Sequence, residues 1–379
     1  MEMLSLGVIS RARKENEHRV PIHPAHFDQI PANLAARITF ERGYGIPFGV
    51  SDDEIAQRFG PLASREDLIR ESEIVLLPKP LVEDLGEMRR GGMIWGWSHC
   101  VQQSDITQMA IDHRLSLLAW EAMYIWKGNS RDVHLFYRNN EMAGYCGVNH
   151  ALGLCGIDGN YGQAKKAVVL SFGSVSRGAV YALRGHGIEE ITIYTQRPAH
   201  AVHNQVLGCR YLQMSSEGDH VVVLDEEGKT RPMIEALANA DVIVNGILQD
   251  TDAPLMFMSP GEDRQLKQGA LIVDVSCDFG MGFPFAKPTS FNEPTFEVGH
   301  IIYYAVDHTP SYSWRASSWE ISRIVVAYLE RVMSGPKVWD QDETLRRSLE
   351  IREGVIQNPK VLSFQKRSAE YPHQFRQKT

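Results

Sequence analysis

The fold class is decided by residues 166–198, KAVVLSFGSVSRGAVYALRGHGIEEITIYTQRP. An apolar run over residues 167–170, closed by a glycine turn at Gly173, is typical of a buried parallel strand. Residues 176–184 then predict a helix, and residues 191–194 predict a second strand. A strand, a glycine turn, a helix and another strand form the βαβ unit that holds a dinucleotide pyrophosphate on a helix N-terminus.

The glycine fingerprint of this unit is incomplete. In the frame G-x-G-x-x-G the three glycine positions are occupied by Ser171, Gly173 and Ser176, so only the central glycine is present. That glycine lets the backbone approach the phosphates, and the free N–H groups of the first helical turn bind them. We therefore predict Gly173, Ser174, Val175 and Ser176 as cofactor-binding residues. An ordinary βαβ crossover without a ligand is the alternative interpretation.

Two further small residues, Gly178 and Ala179, are expected where this helix packs closely on the sheet. Gly173 and Gly178 also have the spacing of a P-loop, which is the other phosphate-binding motif. Ala179 and Val180 stand where that loop needs Lys and Ser or Thr, and this excludes it.

The residues that follow the second strand predict which nicotinamide cofactor binds. An NAD site has Asp or Glu at this point to bind the ribose hydroxyls. This chain has Thr195, Gln196 and Arg197 instead. A carboxylate would repel a ribose phosphate, whereas a hydroxyl, an amide and a guanidinium bind it. The pattern favours NADP(H), with Thr195 and Arg197 as the discriminating pair. A solvated strand end is the alternative.

The composition excludes several classes of protein. The 379 residues are 43% hydrophobic and 23% charged, which is ordinary for a globular protein of two domains. The net charge of −8 argues against nucleic acid or an anionic membrane as partner. No apolar stretch approaches the length of a membrane span, about eighteen residues or more. Five scattered cysteines without a C-x-x-C pair, and an N-terminus unlike a signal peptide, favour a reduced cytoplasmic protein without structural zinc.

Short strands and helices alternate along the chain, which predicts an open α/β sheet. The predicted strands are residues 6–9, 38–40, 74–77, 93–97, 221–224, 241–245, 271–275 and 301–306. The predicted helices are residues 52–58, 64–72, 317–333 and 342–356, with a connecting helix in MAGYCGVNHALGLCG, residues 142–156. Residues after about 364 are charged and lack periodicity, so we expect a frayed tail.

A charged loop follows the first predicted strand, at an edge where open α/β sheets bind ligands. It has the sequence KENEHRVPIHP, residues 14–24. Its Arg19 is the candidate for clamping a substrate carboxylate, because a guanidinium binds a carboxylate with two parallel hydrogen bonds. A surface ion pair of Arg19 with Glu15 or Glu17 is the alternative.

Lys79 and His99 follow two consecutive strands. Lys79 lies between two prolines, and His99 follows the aromatic run WGWS. A lone histidine after an aromatic strand is more often structural than catalytic. A lysine and a histidine together predict a catalytic pair, because a carbonyl needs both polarisation and a proton donor.

Two strands in the second half end in acidic residues. LIVDVSCD ends with Asp278, and YYAVDHTP contains Asp307. Acids at these positions can bind a substrate ammonium or orient an imidazole. Helix caps or turns are the alternative, particularly for Asp307 before Thr-Pro.

Together these segments resemble the superfamily of alanine dehydrogenases and lysine-forming saccharopine dehydrogenases. KENEHRVPIHP resembles the start of alanine dehydrogenases, whereas SHC at 98–100 and VDHTPS at 306–311 resemble saccharopine dehydrogenases. The likeness is closest to the bacterial carboxyethylornithine synthase branch, which uses NADPH, and is carried by FGSVSRGA, VNGILQDTDAP and ALIVDVSCDFG. It runs in order from about residue 5 to about residue 330.

The resemblance implies two Rossmann-like domains. One is a substrate domain built from both chain ends, residues 1–140 and 309–379, and the other is a central NADP-binding domain, residues 141–308. The site residues implied are catalytic Lys79, His99, Asp278 and Asp307, substrate-binding Arg19 and Glu121, and cofactor-binding Asn245 and Gly246. Both acids match a family motif, which leaves open whether Asp278 or Asp307 contacts the substrate.

The expected function is an opine-type reaction: an NADPH-dependent reductase condenses an amino acid's amine with a 2-oxo acid and reduces the imine. One alternative is reductive amination with free ammonia. Another is a catalytically silent NADP(H) sensor, which would not need Lys79 and His99. The expected partners are small-molecule substrates, with no metal, nucleic acid or membrane. The oligomeric state stays open, a homo-oligomer included.

Overall fold

The chain divides into two compact units. The computed structural model describes residues 3–218, 220–224 and 228–376. The first unit combines the chain up to Tyr137 with the chain from Trp314 onward, and the second runs from Arg138 to Ser313. Each unit is built around one large, mostly parallel sheet, which confirms the α/β fold class.

The strands and helices follow in chain order. Those that begin before Tyr137 are β1 (Leu6–Val8), α1 (Ala32–Ala35), β2 (Ile38–Phe40), α2 (Asp52–Phe59), α3 (Arg65–Glu71), β3 (Ile74–Leu76), α4 (Val82–Glu87), β4 (Met93–Gly96), α5 (Ser104–Asp112), β5 (Ser116–Ala119), β6 (Tyr124–Lys127) and β7 (Ser130–His134). The next are α6 (Tyr137–Cys155), β8 (Lys166–Leu170), α7 (Ser174–Gly185), β9 (Glu190–Thr195), β10 (Arg210–Glu217), β11 (His220–Leu224), β12 (Thr230–Pro232), α8 (Met233–Leu237), β13 (Val242–Asn245), β14 (Leu271–Asp274), β15 (Thr295–Val298) and β16 (Ile301–Tyr304). The last are α9 (Trp314–Met333), α10 (Pro336–Gln341), α11 (Glu343–Ser348), β17 (Leu349–Arg352), β18 (Val355–Ile356) and α12 (Pro359–Phe364). None of the helices in these ranges is long and apolar enough to cross a membrane.

The first unit contains, within its described residues, a seven-stranded sheet in the order β18-β17-β5-β4-β3-β1-β2. Strands β1 to β5 run parallel, and β17 lies antiparallel to β5. Leu76 and Trp95 belong to one hydrophobic core, and Val75 and Ile94 belong to another. Strands buried on both faces give the continuous apolar runs seen in the sequence. The strand order reverses between β1 and β3, so a ligand crevice is expected at their carboxyl ends.

The prediction of a helix over residues 342–356 is wrong in its second half. Helix α11 is short, and β17 and β18 follow it as an antiparallel hairpin. Glu353 and Gly354 form the connection with φ angles of 50° and 80°, as a two-residue hairpin turn requires. Leu349 and Ile351 are buried, and Glu350 between them is buried as well, so the strand packs on both faces despite the helix propensity of its charged residues.

The prediction of a frayed tail is wrong for residues 365–376, and residues 377–379 lie outside the described residues. Arg367 is fully buried and donates to Gln108 Oε1 at 2.8 Å and to the His373 carbonyl at 3.2 Å. Buried charged groups are tolerated where their donors have partners. Gln108 lies 259 residues away in the sequence, and a search for periodicity does not detect such a contact.

The second unit contains, again within the described residues, a nine-stranded sheet in the order β12-β11-β10-β9-β8-β13-β14-β16-β15. Strands β8, β9, β10, β13, β14 and β16 are parallel, and antiparallel strands extend both edges. The order reverses at β8, between β9 and β13, which places the expected ligand crevice there. Strand β10 was not predicted, because its residues 210–217 are mostly polar and only one is buried.

Helices α6 and α7 cross at two glycines. A Cβ on Gly178 would lie 1.7 Å from the carbonyl oxygen of Glu141, and one on Gly144 would lie 1.9 Å from that of Val175. Gly178 therefore allows contact with α6, and the prediction that it packs on the sheet is wrong. Ala179 is buried in the same core as Ala167 and Val169 of β8, as expected.

Candidate active site

Lys79 and His99 meet at the carboxyl edge of the first unit's sheet. Strands β3 and β4 are parallel neighbours, and their pairing continues where Trp97 N donates to Pro78 O at 2.9 Å. The residues that follow the two strands therefore emerge side by side. Lys79 Nζ lies 2.8 Å from His99 Nε2.

The contact between these two nitrogens defines what the pair can do. An ammonium has only donors, so it can approach an imidazole nitrogen at hydrogen-bond distance only when that nitrogen offers a lone pair. A neutral amine can likewise accept from a protonated imidazole. The two groups can therefore hold and exchange one proton. Such a pair can polarise a carbonyl oxygen and supply or remove a proton beside it.

The backbone of His99 is held in the left-handed region, with φ at 46°. For a residue with a Cβ this conformation costs about 1–2 kcal/mol, and it persists where the surroundings impose it. The N–H groups of Gln102 and Gln103 both donate to the His99 carbonyl at 3.1 Å. The N–H of His99 donates to Glu121 Oε1 at 2.6 Å. Left-handed residues held in this way are common at functional sites.

Glu121 follows β5, the next strand of the same sheet. Its Oε2 atom is buried and has no hydrogen-bond partner among the described residues. Burial, and then the nearby charge of Glu350, raise the pKa of Glu121 well above its ordinary value, although His99 N–H and Lys79 lower it. The carboxyl group therefore favours its protonated form more than an exposed glutamate does.

Arg19 is buried and pairs with Glu17. Its Nε donates to Glu17 Oε1 at 2.8 Å, and a terminal guanidinium nitrogen contacts the other carboxylate oxygen. The guanidinium carbon lies 4.7 Å from the centroid of a Trp97 ring, two residues before His99. The ion pair with Glu17 that was the alternative interpretation is thus present, but it is buried and not on the surface. Glu17 and Trp97 together fix the orientation of the guanidinium.

In the second unit, the N-terminus of α7 lies at the crevice beside β8. A Cβ on Gly173 would meet nothing within 4 Å, so the space in front of the helix is open. The N–H groups of Ser174, Val175 and Ser176 have no helical carbonyl four residues before them. A Cβ on Gly246 would lie 2.5 Å from Ser176 Oγ, so the loop after β13 lies directly against this turn. The space and the donors suit a pyrophosphate.

Arg197 extends from the end of β9 to the loop after β8. Its guanidinium donates to the Phe172 carbonyl at 2.7 Å, one residue before Gly173. Thr195 is buried and its hydroxyl accepts from Arg197 N at 3.3 Å, whereas Gln196 is exposed. The guanidinium group of Arg197 thus lies next to the glycine turn.

Arg177 was not identified from the sequence. Its guanidinium carbon lies 4.8 Å from the centroid of the Phe172 ring, so two arginines meet at Phe172. The sequence contains a feature that could have identified it: residues 171–185 and 195–210 contain no Asp or Glu, although the net charge of the chain is −8. These two segments therefore form a locally positive region.

Asp274 at the end of β14 is the other residue that sequence reasoning left unassigned. It is fully buried, and its carboxylate accepts from Asn245 Nδ2 at 3.0 Å and from Tyr303 Oη at 2.5 Å. The N–H groups of Ser276 and Cys277 also donate to it, at 3.0 and 3.2 Å. Burial raises the pKa of Asp274 from 3.8 to about 6, although the hydrogen bonds to it lower that value. The predicted cofactor residue Asn245 is thus oriented by Asp274.

Asp278 and Asp307 follow β14 and β16, which are neighbours in the second unit. Asp278 is half-buried in the turn that follows β14. Asp307 is more exposed, and its carboxylate lies 2.6 Å from Nδ1 of the next residue, His308. Within the ranges that the structure describes, no group of His, Cys, Asp and Glu side chains could hold a metal ion.

Two doubly wound α/β units define the class of this protein, and comparisons with known proteins identify the family. Residues 8–143 match the family described as "Alanine dehydrogenase/PNT, N-terminal domain". Residues 149–359 match "Alanine dehydrogenase/PNT, C-terminal domain". The chain therefore belongs to the alanine dehydrogenase/PNT family.

Individual relatives agree with this assignment. The chain is 26% identical to N(5)-(carboxyethyl)ornithine synthase of Lactococcus lactis subsp. lactis over 333 residues, which covers 85% of this chain and 93% of the relative. It is 22% identical to alanine dehydrogenase of Mycolicibacterium smegmatis over 363 residues, which covers 90% and 92%. A solved structure titled L-alanine dehydrogenase matches with a TM-score of 0.73 and 20% identity, covering 95% of this chain and 99% of that one. These relatives are oxidoreductases, and the superfamily resemblance seen in the sequence is confirmed.

Proposed function

We propose that the protein is an NADPH-dependent reductase that condenses the amine of an amino acid with a 2-oxo acid and reduces the resulting imine to a secondary amine. The observation that carries the proposal is the 2.8 Å contact between Lys79 Nζ and His99 Nε2. A protein that only bound a nucleotide in its second unit would have no use for this pair in the first. Similarity to relatives named N(5)-(carboxyethyl)ornithine synthase supports an amino acid as the amine donor.

The pair matches the proton movements that imine formation needs. The amine nitrogen attacks the ketone carbon and gives up a proton, which His99 accepts. Lys79 donates a proton to the ketone oxygen, which gives a carbinolamine, and the contact between the two side chains returns the proton from His99 to Lys79. Lys79 then donates a second proton to the hydroxyl group, which leaves as water and gives the protonated imine. When bound, NADPH supplies the hydride that reduces the imine carbon. Arg19 holds the carboxylate of the 2-oxo acid in this proposal, with its guanidinium oriented by Glu17 and Trp97.

Glu121 is assigned here to supporting His99. One of its oxygens accepts the His99 N–H at 2.6 Å and the other is buried, so neither is presented to a substrate in this conformation. A carboxylate for a substrate ammonium is then left to Asp278 or Asp307. The predicted substrate-binding role of Glu121 thus becomes a positioning role.

The proposed cofactor preference rests on charge. Arg197 and Arg177 both contact Phe172, beside the open N-terminus of α7. A ribose phosphate is bound well by guanidinium groups and poorly beside a carboxylate, and residues 171–185 and 195–210 contain no carboxylate. In this proposal the second unit holds NADPH and the first unit carries the proton-transfer groups.

The test is NADPH oxidation over a matrix of 2-oxo acids and nitrogen donors. Pyruvate and 2-oxoglutarate are combined with ornithine, lysine, arginine, other amino acids and ammonium. The products are identified from their masses by mass spectrometry. We expect a secondary amine with two carboxylates and little product from ammonium. A site built for an amino acid has side chains that pair with its charged groups, and these side chains stay unpaired when ammonium binds instead. Alanine or glutamate formed from ammonium as efficiently as any secondary amine would reject the proposal and favour reductive amination, the activity named for the relative from M. smegmatis.

A further inference from the structure

Cys100, the residue that follows His99, is held by three parts of the first unit. The Cys100 carbonyl accepts from Thr107 Oγ1 of α5 at 2.7 Å and from Gln365 Nε2 at 2.6 Å. Cys100 Sγ donates to Glu350 Oε2 of β17 at 3.0 Å. Cys100 is fully buried, so these contacts fix the chain one residue from the imidazole.

Gln365 is itself held in place. Its side-chain carbonyl accepts from Arg367 Nε at 2.7 Å. The buried Arg367 also donates to Gln108 Oε1 at 2.8 Å and to the Ser104 carbonyl at 3.3 Å, both on α5. Arg367 reaches the His373 carbonyl as well, and His373 Nε2 accepts from a backbone N–H of β18. We call Gln365, Arg367 and His373 the clasp.

We infer that the clasp is a positioning device for His99, with Gln365 as its working residue. The left-handed backbone of His99 is unfavourable by itself, so neighbouring contacts must impose it. The two side-chain donors on the next carbonyl lie outside the loop, on α5 and in the clasp. Without Gln365 the Cys100 carbonyl keeps Thr107 Oγ1 as a donor but loses its connection to the clasp. The backbone beside His99 is then held less firmly, and His99 Nε2 shifts relative to Lys79 Nζ. Gln365 acts through His99 and Cys100 and contacts no substrate.

The first test replaces Gln365 with leucine, which has a similar volume and no amide. The control is Gln357→Leu, in the same part of the chain, because Gln357 is exposed and its side chain donates to the nearby Val355 carbonyl, at 3.0 Å. One readout is the NMR signal of the His99 ring in ¹³C-histidine-labelled full-length protein, assigned by its loss in His99→Gln. The other is the division of the effect between kcat and KM in the NADPH oxidation assay.

We expect Gln365→Leu to shift the His99 signal and to lower kcat about tenfold to a hundredfold, as small displacements of a reacting group do. The KM for NADPH and the Gln357→Leu control should match the unmutated protein. A purely structural clasp would lower the melting temperature and leave both the signal and kcat unchanged, and that result would overturn the inference.

A second variant keeps the test decisive if Gln365→Leu does not fold. Thr107→Val removes the other donor to the Cys100 carbonyl at nearly constant shape, and it should shift the same signal and lower kcat in the same way. The double variant should lose less than the product of the two single effects, because both act on one carbonyl.

The turnover readout rests on the proposed function, whereas the NMR readout does not. If no amine and oxo acid are turned over by the unmutated protein, the proposed function fails and the His99 signal alone decides this inference. A signal that is unchanged in both Gln365→Leu and Thr107→Val would reject the clasp as a positioning device, whatever the reaction is.

Discussion

Lys79 and His99 are in contact through their reactive nitrogens, so the protonation state of each side chain determines whether the other can donate or accept a proton. We expect Lys79→Met and His99→Gln each to lower turnover by about 10²–10⁴, which is the usual effect of removing a positioned acid or base. The double variant should lose much less than the product of the single effects, because the pair acts as a unit. Steady-state kinetics measure these losses, and fluorescence titration should show that NADPH still binds.

The matched control for this pair is Lys127→Met, because Lys127 is exposed on β6 and pairs with Asp132 on the adjacent strand. It should turn over at the unmutated rate. Normal turnover by either Lys79→Met or His99→Gln would show that the residue concerned has a structural role only.

Arg197 and Arg177 are expected to decide the choice between NADPH and NADH. Loss of one charge-assisted contact costs about 1.5–3 kcal/mol, so Arg197→Ala should weaken NADPH binding about tenfold or more and leave NADH almost unchanged. Arg177→Ala should act in the same direction. Isothermal titration with each cofactor measures both effects.

Arg264→Ala is the control for these two arginines. Arg264 is exposed and lies in the segment that leads into the amino end of β14, outside the positive region. It should leave both affinities unchanged. Equal titration curves for NADH and NADPH with the unmutated protein would disprove the predicted preference before any variant is made.

The crossing of α6 and α7 depends on the absence of a side chain at Gly178. Its Cβ would lie 1.7 Å from the Glu141 carbonyl oxygen, so Gly178→Ala must push α7 away from α6. Such overpacking destabilises a fold by about 1–3 kcal/mol or more. Because the same helix carries the N–H groups of Ser174 to Ser176, NADPH affinity should fall as well. Urea unfolding and cofactor titration measure the two consequences.

Gly185, the last residue of the same helix, provides the contrast. A Cβ there would meet nothing within 4 Å, so Gly185→Ala should be neutral or stabilise the protein by up to about 1 kcal/mol through helix propensity. If the two alanine variants had equal stability, close contact between the helices could not be the reason for glycine at position 178.

The stability of the complete fold should depend on pH through Asp274. Its pKa is raised from 3.8 to about 6 in the folded protein, so the folded state holds this proton more tightly than the unfolded state. The resulting stabilisation is full below about pH 4, declines as the pH rises toward 6, and is lost above it. The change amounts to about 3 kcal/mol at 1.36 kcal/mol per pKa unit.

Asp274→Asn keeps an acceptor for Asn245 but does not titrate. Glu121 and Glu350 also have raised pKa values, so the informative quantity is the difference between the variant and the unmutated protein. The unfolding free energy of the variant, relative to the unmutated protein, should increase by about 2.4 kcal/mol from pH 4 to pH 7. A difference that does not change with pH would contradict the shifted pKa. Urea titrations at several pH values provide the measurement.

Much of the fold was readable from local patterns. The buried strands of both sheets are short apolar runs, and a buried run is a property of successive residues. The polar groups that follow parallel strands lie at one edge of a sheet by geometry alone, which is why Lys79 and His99 could be paired in advance. Hairpin β17–β18 was not predicted because its residues also fit a helix, and strand β10 was not predicted because it is mostly polar.

The amino-acid sequence by itself thus determined the two α/β units, the glycine turn before α7 and the strand ends that carry Lys79 and His99. Tertiary structure alone decided the burial of the Arg19–Glu17 pair, the burial of Asp274 and the clasp on the His99 loop. The physical reason is that periodicity records which side of an element is buried, whereas a polar contact depends on where distant elements meet. Gln365 and Cys100 are 265 residues apart in the chain, and no local pattern in either segment records their hydrogen bond.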